Sequence, residues 1–177
     1  MADDLTSTEL THRDSRASEI SRIAGQVVAR LTARGETVAC AESLTGGWLT
    51  AALIDIPGAS VVVRGAMVSY ATDLKATWLG VDRQLLAKHG AVHPAVAGDM
   101  ALGVCRAAGS HWGLATTGVA GPGPSDGKPA GTAYVAVAVG ARVCAVRELD
   151  IPGDRSAVRA GTVLAALALL VQQVDED

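Results

Sequence analysis

Ser43 lies in ACAESLTGG (residues 39–47), a stretch that joins an acid, two hydroxyls and two glycines between a β-like run and a helix-like one. On such a strand-to-helix turn the backbone N–H groups of the first helical turn point into the same space as the serine hydroxyl. Donors arranged that way stabilise a bound phosphate or a developing oxyanion, and the serine can act as a nucleophile beside them. Gly46 and Gly47 let a ligand approach the backbone closely. The same residues also fit a plain helix start, with Ser43 or Thr45 as the N-cap.

A serine nucleophile needs a base. The four histidines, His12, His89, His93 and His111, offer no convincing setting for one. His89 and His93 are spaced i, i+4, but Gly90 between them and Pro94 after them work against a shared helical face, and there is no H-E-x-x-H. They read as loop residues, and no metal site is expected. Lysine is the alternative base, effective when burial or a nearby cation lowers its pKa. Lys75 stands in YATDLKATWLGV, five residues after Tyr70 and shortly after a predicted strand end. A strand followed by a short helix brings Tyr70 and Lys75 to the sheet edge that carries Ser43. A solvated helix lysine is the competing reading, and by residue type alone it is the commoner one.

A third cluster is ATTGVAGPGPSDGKPAGTAYVAV, where the hydroxyl of Thr117 at a strand end precedes a loop rich in glycine and proline. Ligands of open α/β sheets gather at the carboxyl ends of strands, and Ser43, Tyr70 and Thr117 all occupy such positions. Gly118, Ala120, Gly121 and Gly123 would supply backbone at that edge. Arg155 and Arg159 are i, i+4 near the start of the last predicted helix. They fit either a pocket or phosphate contact or a solvated pair.

The elements that must position these groups follow from periodicity. Ile20, Ile23, Ala24, Val27, Val28 and Leu31 mark a helix that Gly35 stops. Residues 1–17 lack apolar periodicity and read as a flexible tail. Strand signals cover 37–41, 61–70, 112–117, 133–139 and 142–149, the last two joined as a hairpin by Gly140-Ala141. Helices are expected over 46–54, from a cap at Thr72 or Asp73 to Gly80, over 82–89 and 94–108, and from an Asp154 cap to Val174. The order α β α β α α α β β β α predicts an α/β domain with a mixed sheet over residues 18–174.

The chain has 177 residues, 49% of them hydrophobic and 19% charged, enough for one well-buried core and too apolar for a wholly disordered protein. There is no Phe, so the core must be aliphatic. A net charge of −3 gives no global attraction to nucleic acid or to an anionic membrane. Three scattered cysteines without a C-x-x-C fit a reducing cytoplasm rather than a disulfide framework or thiolate zinc site. The longest apolar run, residues 163–171, is too short to span a bilayer.

Together AESLTGGWLTAALIDIPGAS, RGAMVSYATDLKATWLGV, HGAVHPAVAGDMALGV, ATTGVAGPGPSDGKPAGTAYVAVA and IPGDRSAVRAGTVLAAL resemble the CinA C-terminal domain family, over about residues 18–172. Its characterised members include nicotinamide-nucleotide amidohydrolases of the PncC type. The resemblance implies a three-layer α/β/α sandwich with a mixed, mostly parallel five-stranded sheet. It also implies metal-free and cofactor-free deamidation of nicotinamide mononucleotide to nicotinate mononucleotide and ammonia. By the same resemblance Ser43 is the nucleophile, Lys75 its base partner, and Tyr70 and Thr117 supporting hydroxyls. The Gly46-Gly47 turn and the loop from Gly118 to Gly123 would shape the nucleotide site. The sequence departs from the family pattern at Thr72, at His93-Pro94 and in GPGPSDG, where the loop commonly runs GPGG. The alternative class is a non-catalytic nucleotide-binding or protein-interaction module, which has no need for both Ser43 and Lys75. A small-molecule nucleotide is the expected partner, with no nucleic acid and no membrane; a homo-oligomer is left open.

Overall fold

The amphipathic stretch from Ile20 to Leu31 seeds the first helix, and no Gly or Pro before it stops the helix from growing outward. The computed structural model describes the backbone of residues 7–177 and the side chains of residues 15–177. In it α1 runs Ser7–Arg34, so the segment expected to be a flexible tail is helical from Ser7, and residues 1–6 lie outside the described residues. The Arg22–Glu19 ion pair on its exposed face, 2.7 Å, is the i, i+3 contact that supports a solvated helical turn.

The remaining elements are β1 (Val38–Glu42), α2 (Trp48–Ile54), a short 3-10 turn (Ala59–Val61), β2 (Val63–Val68), α3 (Thr72–Leu79), α4 (Arg83–His89), α5 (Pro94–Ala108), β3 (Trp112–Gly118), β4 (Thr132–Val139), β5 (Arg142–Asp150) and α6 (Arg155–Glu176). The order is the expected one, with shifted edges. Because Ala59–Val61 winds into the 3-10 turn, β2 is shorter than the run 61–70. Ala71 is the N-cap of α3 and no side chain caps it, so neither Thr72 nor Asp73 does so. Asp154 does cap α6, its carboxylate accepting from the Ala157 amide at 2.7 Å.

The five strands form one sheet in the order β2-β1-β3-β4-β5. Pairings β1–β2 and β1–β3 are parallel, whereas β3–β4 and β4–β5 are antiparallel. Only β4 runs against the other four strands, which is the sense in which the sheet is mostly parallel.

Strand alternation sorts side chains by size into two cores. One face presents Val38, Cys40, Trp112, Leu114, Val135 and Val137 to α1, α2 and α6. The other presents Ala39, Ala41, Ala115, Ala136 and Ala138 to helices that include α5, with Met67 and Tyr134 as the larger exceptions. Small residues there let α5 lie close: a Cβ on Gly113 would stand 2.0 Å from the Ala101 carbonyl oxygen. Helices on both faces make this a three-layer α/β/α sandwich. α6 is long and apolar enough to cross a membrane by composition, but half of its most apolar window is buried, and it packs on α1 and the sheet.

Candidate active site

Sheet register decides which side chains meet. Glu42 is paired with Val68 of β2 on one side and with Thr116 of β3 on the other. Ser43, Ser69 and Thr117 therefore leave the three parallel strands side by side, at the carboxyl edge where such sheets bind ligands. The Ser43 amide extends the ladder one step further, donating to the Thr116 carbonyl at 3.1 Å.

The turn after β1 is built around Glu42, a residue whose role the sequence reading missed. Its carboxylate is fully buried and accepts from the amides of Gly47 (2.9 Å), Leu49 (3.2 Å) and Thr50 (2.9 Å) and from the Thr50 hydroxyl. Gly47 is the N-cap of α2 and has no side chain to serve the helix, so the glutamate supplies the acceptor from outside it. The α2 amides thus face Glu42 and are not free for a ligand, contrary to the expected anion cradle. Gly46 and Gly47 hold φ of 60° and 96°, which delays the start of α2 to Trp48.

Lys75 comes from the first turns of α3 and folds back over the end of β2. It is completely buried, and its ammonium donates to the Ser69 carbonyl (2.7 Å), the Tyr70 carbonyl (3.4 Å) and Ser43 Oγ (3.2 Å). Burial lowers its pKa from 10.5 to about 8, and the charge of Asp126 partly opposes that shift. An amine near neutrality within hydrogen-bond reach of a serine hydroxyl is the arrangement that activates the hydroxyl. The solvated reading of Lys75 does not hold.

Ser43 and Lys75 open onto a cavity of about 300 Å³, also lined by Leu44, Tyr70, Thr117, Gly118, Ala120, Gly121, Gly123, Asp126 and Arg155. That volume is at the lower end for small-molecule sites. Thr117 is buried, and its hydroxyl donates to the Ala91 carbonyl at 2.8 Å. Tyr70 sits at the rim with 60% of its surface exposed, its hydroxyl accepting from Arg155 at 3.1 Å. Arg155 also donates to the Gly121 carbonyl at 2.9 Å, tying the glycine loop to α6.

Thr45, Gly46, Gly47 and Arg159 do not line the cavity. Thr45 is buried and shares a 2.8 Å hydrogen bond with Thr116. Arg159 donates to the carbonyls of Leu44 (2.9 Å) and Thr45 (2.7 Å) and lies over the Trp48 ring. It clamps the serine turn from behind while Arg155, one helical turn earlier, faces the cavity. None of His89, His93 and His111 reaches the cavity. His89 ends α4 and His93 caps α5, so they are helix-terminal rather than loop residues, and their rings stack 4.4 Å apart. Asp126, in the loop after β3, is a cavity residue that sequence reasoning passed over as part of a connection.

Comparison with known proteins agrees with this architecture. The model of the CinA C-terminal domain matches residues 20–174. The chain is 40% identical over 157 residues to the nicotinamide-nucleotide amidohydrolase PncC of Escherichia coli K12, covering 88% of this chain and 95% of that protein. It is 49% identical over 146 residues to a CinA-like protein of Frankia casuarinae, covering 82% of this chain and 34% of the relative. The chain thus spans about a third of the length of such CinA-like relatives. A crystal structure of a competence-damaged protein (CinA) superfamily protein from Klebsiella pneumoniae superposes with a TM-score of 0.85 at 32% identity, over 89% of this chain and 99% of that one. With its sheet order, its buried serine–lysine edge and these likenesses, the chain belongs to the CinA C-terminal domain family.

Proposed function

We propose that this protein hydrolyses the carboxamide of nicotinamide mononucleotide to nicotinate mononucleotide and ammonia, in the cytoplasm, as a step of pyridine nucleotide recycling. The observation that carries the reading is the 3.2 Å approach of Lys75 Nζ to Ser43 Oγ in a site that holds the lysine pKa near 8. The likeness to PncC, which extends over 95% of that amidohydrolase, supports the choice of substrate.

Ser43 Oγ attacks the amide carbon while its proton passes to the neutral amine of Lys75. The tetrahedral oxyanion collapses, and the departing nitrogen takes that proton from Lys75 and leaves as ammonia. Water then attacks the acyl-serine ester, again through Lys75, which returns a proton to Ser43 Oγ as the carboxylic acid departs. The amides of Leu44 and Thr45 donate to no acceptor among the described residues, and they are the donors left on the turn for the oxyanion. Arg155 and Tyr70 at the rim, with the loop from Gly118 to Gly123, receive the nucleotide part.

The test is ammonia release from purified protein given nicotinamide mononucleotide, the corresponding riboside, free nicotinamide and unrelated small amides. The mononucleotide is expected to react fastest. No ammonia from it, or faster release from an unrelated amide, would overturn the assignment.

A further inference from the structure

The loop after β3 carries a carboxylate into the cavity wall by a specific construction. The Ser125 amide donates to the Lys128 carbonyl (3.0 Å) and the Lys128 amide to the Ser125 carbonyl (2.9 Å), closing a two-residue turn. Asp126 and Gly127 occupy it with φ of 51° and 69°, and Asp126 is the one non-glycine residue with positive φ among those described. Aspartate and asparagine bear that conformation better than most residues. Asp126 Oδ2 accepts from the Ala91 amide at 2.7 Å, which fixes the carboxylate although the residue is exposed. Its Oδ1 receives no hydrogen bond among the described residues.

Among the described residues Asp126 is the sole carboxylate lining the cavity, where the other charged groups are Lys75 and Arg155 and the other titratable group is Tyr70. The guanidinium of Arg155 is engaged by Gly121 and Tyr70. Near the Asp126 anchor stand His89 and His93, and Lys128 of the same turn, whose charge reaches His93. When Lys75 is neutral, as the base must be, Asp126 is the negative charge of the cavity, and among the described residues no cation is in contact with it.

We propose that Asp126 is the specificity-determining residue of this site, selecting amides that bear a fixed positive charge beside the carboxamide. The identity of the substrate as an amide rests on the amidohydrolase reading, whereas the charge preference rests on the cavity alone. A cation placed against Asp126 also screens the field that favours protonated Lys75, so binding the charged ligand releases the base.

The experiment is equilibrium binding by calorimetry of two probes, the 1-methylnicotinamide cation and uncharged nicotinamide, to the full chain at a pH about one unit above 8. The wild type is expected to favour the cation by about tenfold or more, and Asp126→Asn to bring the ratio close to one. That substitution keeps an acceptor for the Ala91 amide and suits the turn, so it removes charge and little else. Equal affinities in the wild type, no measurable binding of the cation, or an unchanged ratio in Asp126→Asn would each overturn the proposal. So would a preference lost in Asp126→Ala but kept in Asp126→Asn, which would assign the effect to the loop anchor. Ammonia release measured on the same preparations reports separately on the amidohydrolase reading.

Discussion

Glu42 and Lys75 are two charged residues with no exposed surface, on either side of the same serine, and their surroundings differ in kind. Three amides and a hydroxyl converge on the Glu42 carboxylate, so its charge is spread over a full set of donors at a helix N-terminus. Lys75 has two carbonyl oxygens and a neutral hydroxyl, with no carboxylate in contact among the described residues. A buried charge that is saturated serves as structure. One that is left short of partners shifts its pKa and becomes available for proton transfer.

The largest expected effect breaks the reactive side. Lys75→Arg keeps a cation but removes the proposed base, since guanidinium does not give up its proton near neutral pH. It should lower kcat by about 10³-fold or more, as should Ser43→Ala, with the fold retained by circular dichroism. Ammonia release within tenfold of wild type in either variant would show that the pair does not carry the reaction.

Stability should then separate the two residues by sign. Glu42→Ala leaves several buried donors unpaired and is expected to cost about 3–5 kcal/mol, read from denaturant unfolding. Lys75→Met removes an ammonium that is poorly compensated and should be neutral or stabilising. A loss in Lys75→Met as large as that in Glu42→Ala would erase the distinction.

A smaller effect concerns pH. Folded Lys75 gives up its proton near 8 and the unfolded lysine near 10.5, so between these values the unfolded chain holds the additional proton. Stability should rise with pH across that window in wild type relative to Lys75→Met, and the cost of burying the ammonium is fully present below it. The deprotonated base should make kcat/KM rise with pH through the same lower value. A flat difference between wild type and Lys75→Met from pH 7 to 10.5 would contradict the lowered pKa. The least effect is expected from exhaustive EDTA treatment. Among the described residues no group of three or more His, Cys, Asp or Glu is placed to hold a metal, so turnover should be unchanged.

Much of the fold was legible because its elements are local. Ile20 to Leu31 at helical spacing, Asp154 before the last helix and Gly140-Ala141 between two apolar runs each announce structure within a few residues. The Ser43–Lys75 contact was not local. It joins residues 32 apart through the register of β1 with β2, and by its own spacing Lys75 resembled a solvated helix residue. The residues offered it as a candidate base beside a commoner solvated reading, and the family resemblance favoured the first. Glu42 left a usable signal, an acid just before a glycine-initiated helix that lacks its own capping side chain. Arg155 and Arg159 looked equivalent at i, i+4, yet only the fold shows that one faces the cavity and the other the back of the serine turn.

The alanine face of the sheet bears on the site as a spacer does on a machine. Thr117 is tethered to the Ala91 carbonyl at the entrance of α5, and Ala91 and Val92 form part of the cavity wall. The gap between that wall and the sheet edge is therefore gauged by how low α5 can ride over Ala115, Ala136, Ala138 and Gly113. Thickening that layer by even one methyl group would tilt or lift the helix and reset the clearance around a bound molecule. The tolerances of the pocket are inherited from Gly113, Ala115, Ala136 and Ala138, none of which lines the cavity.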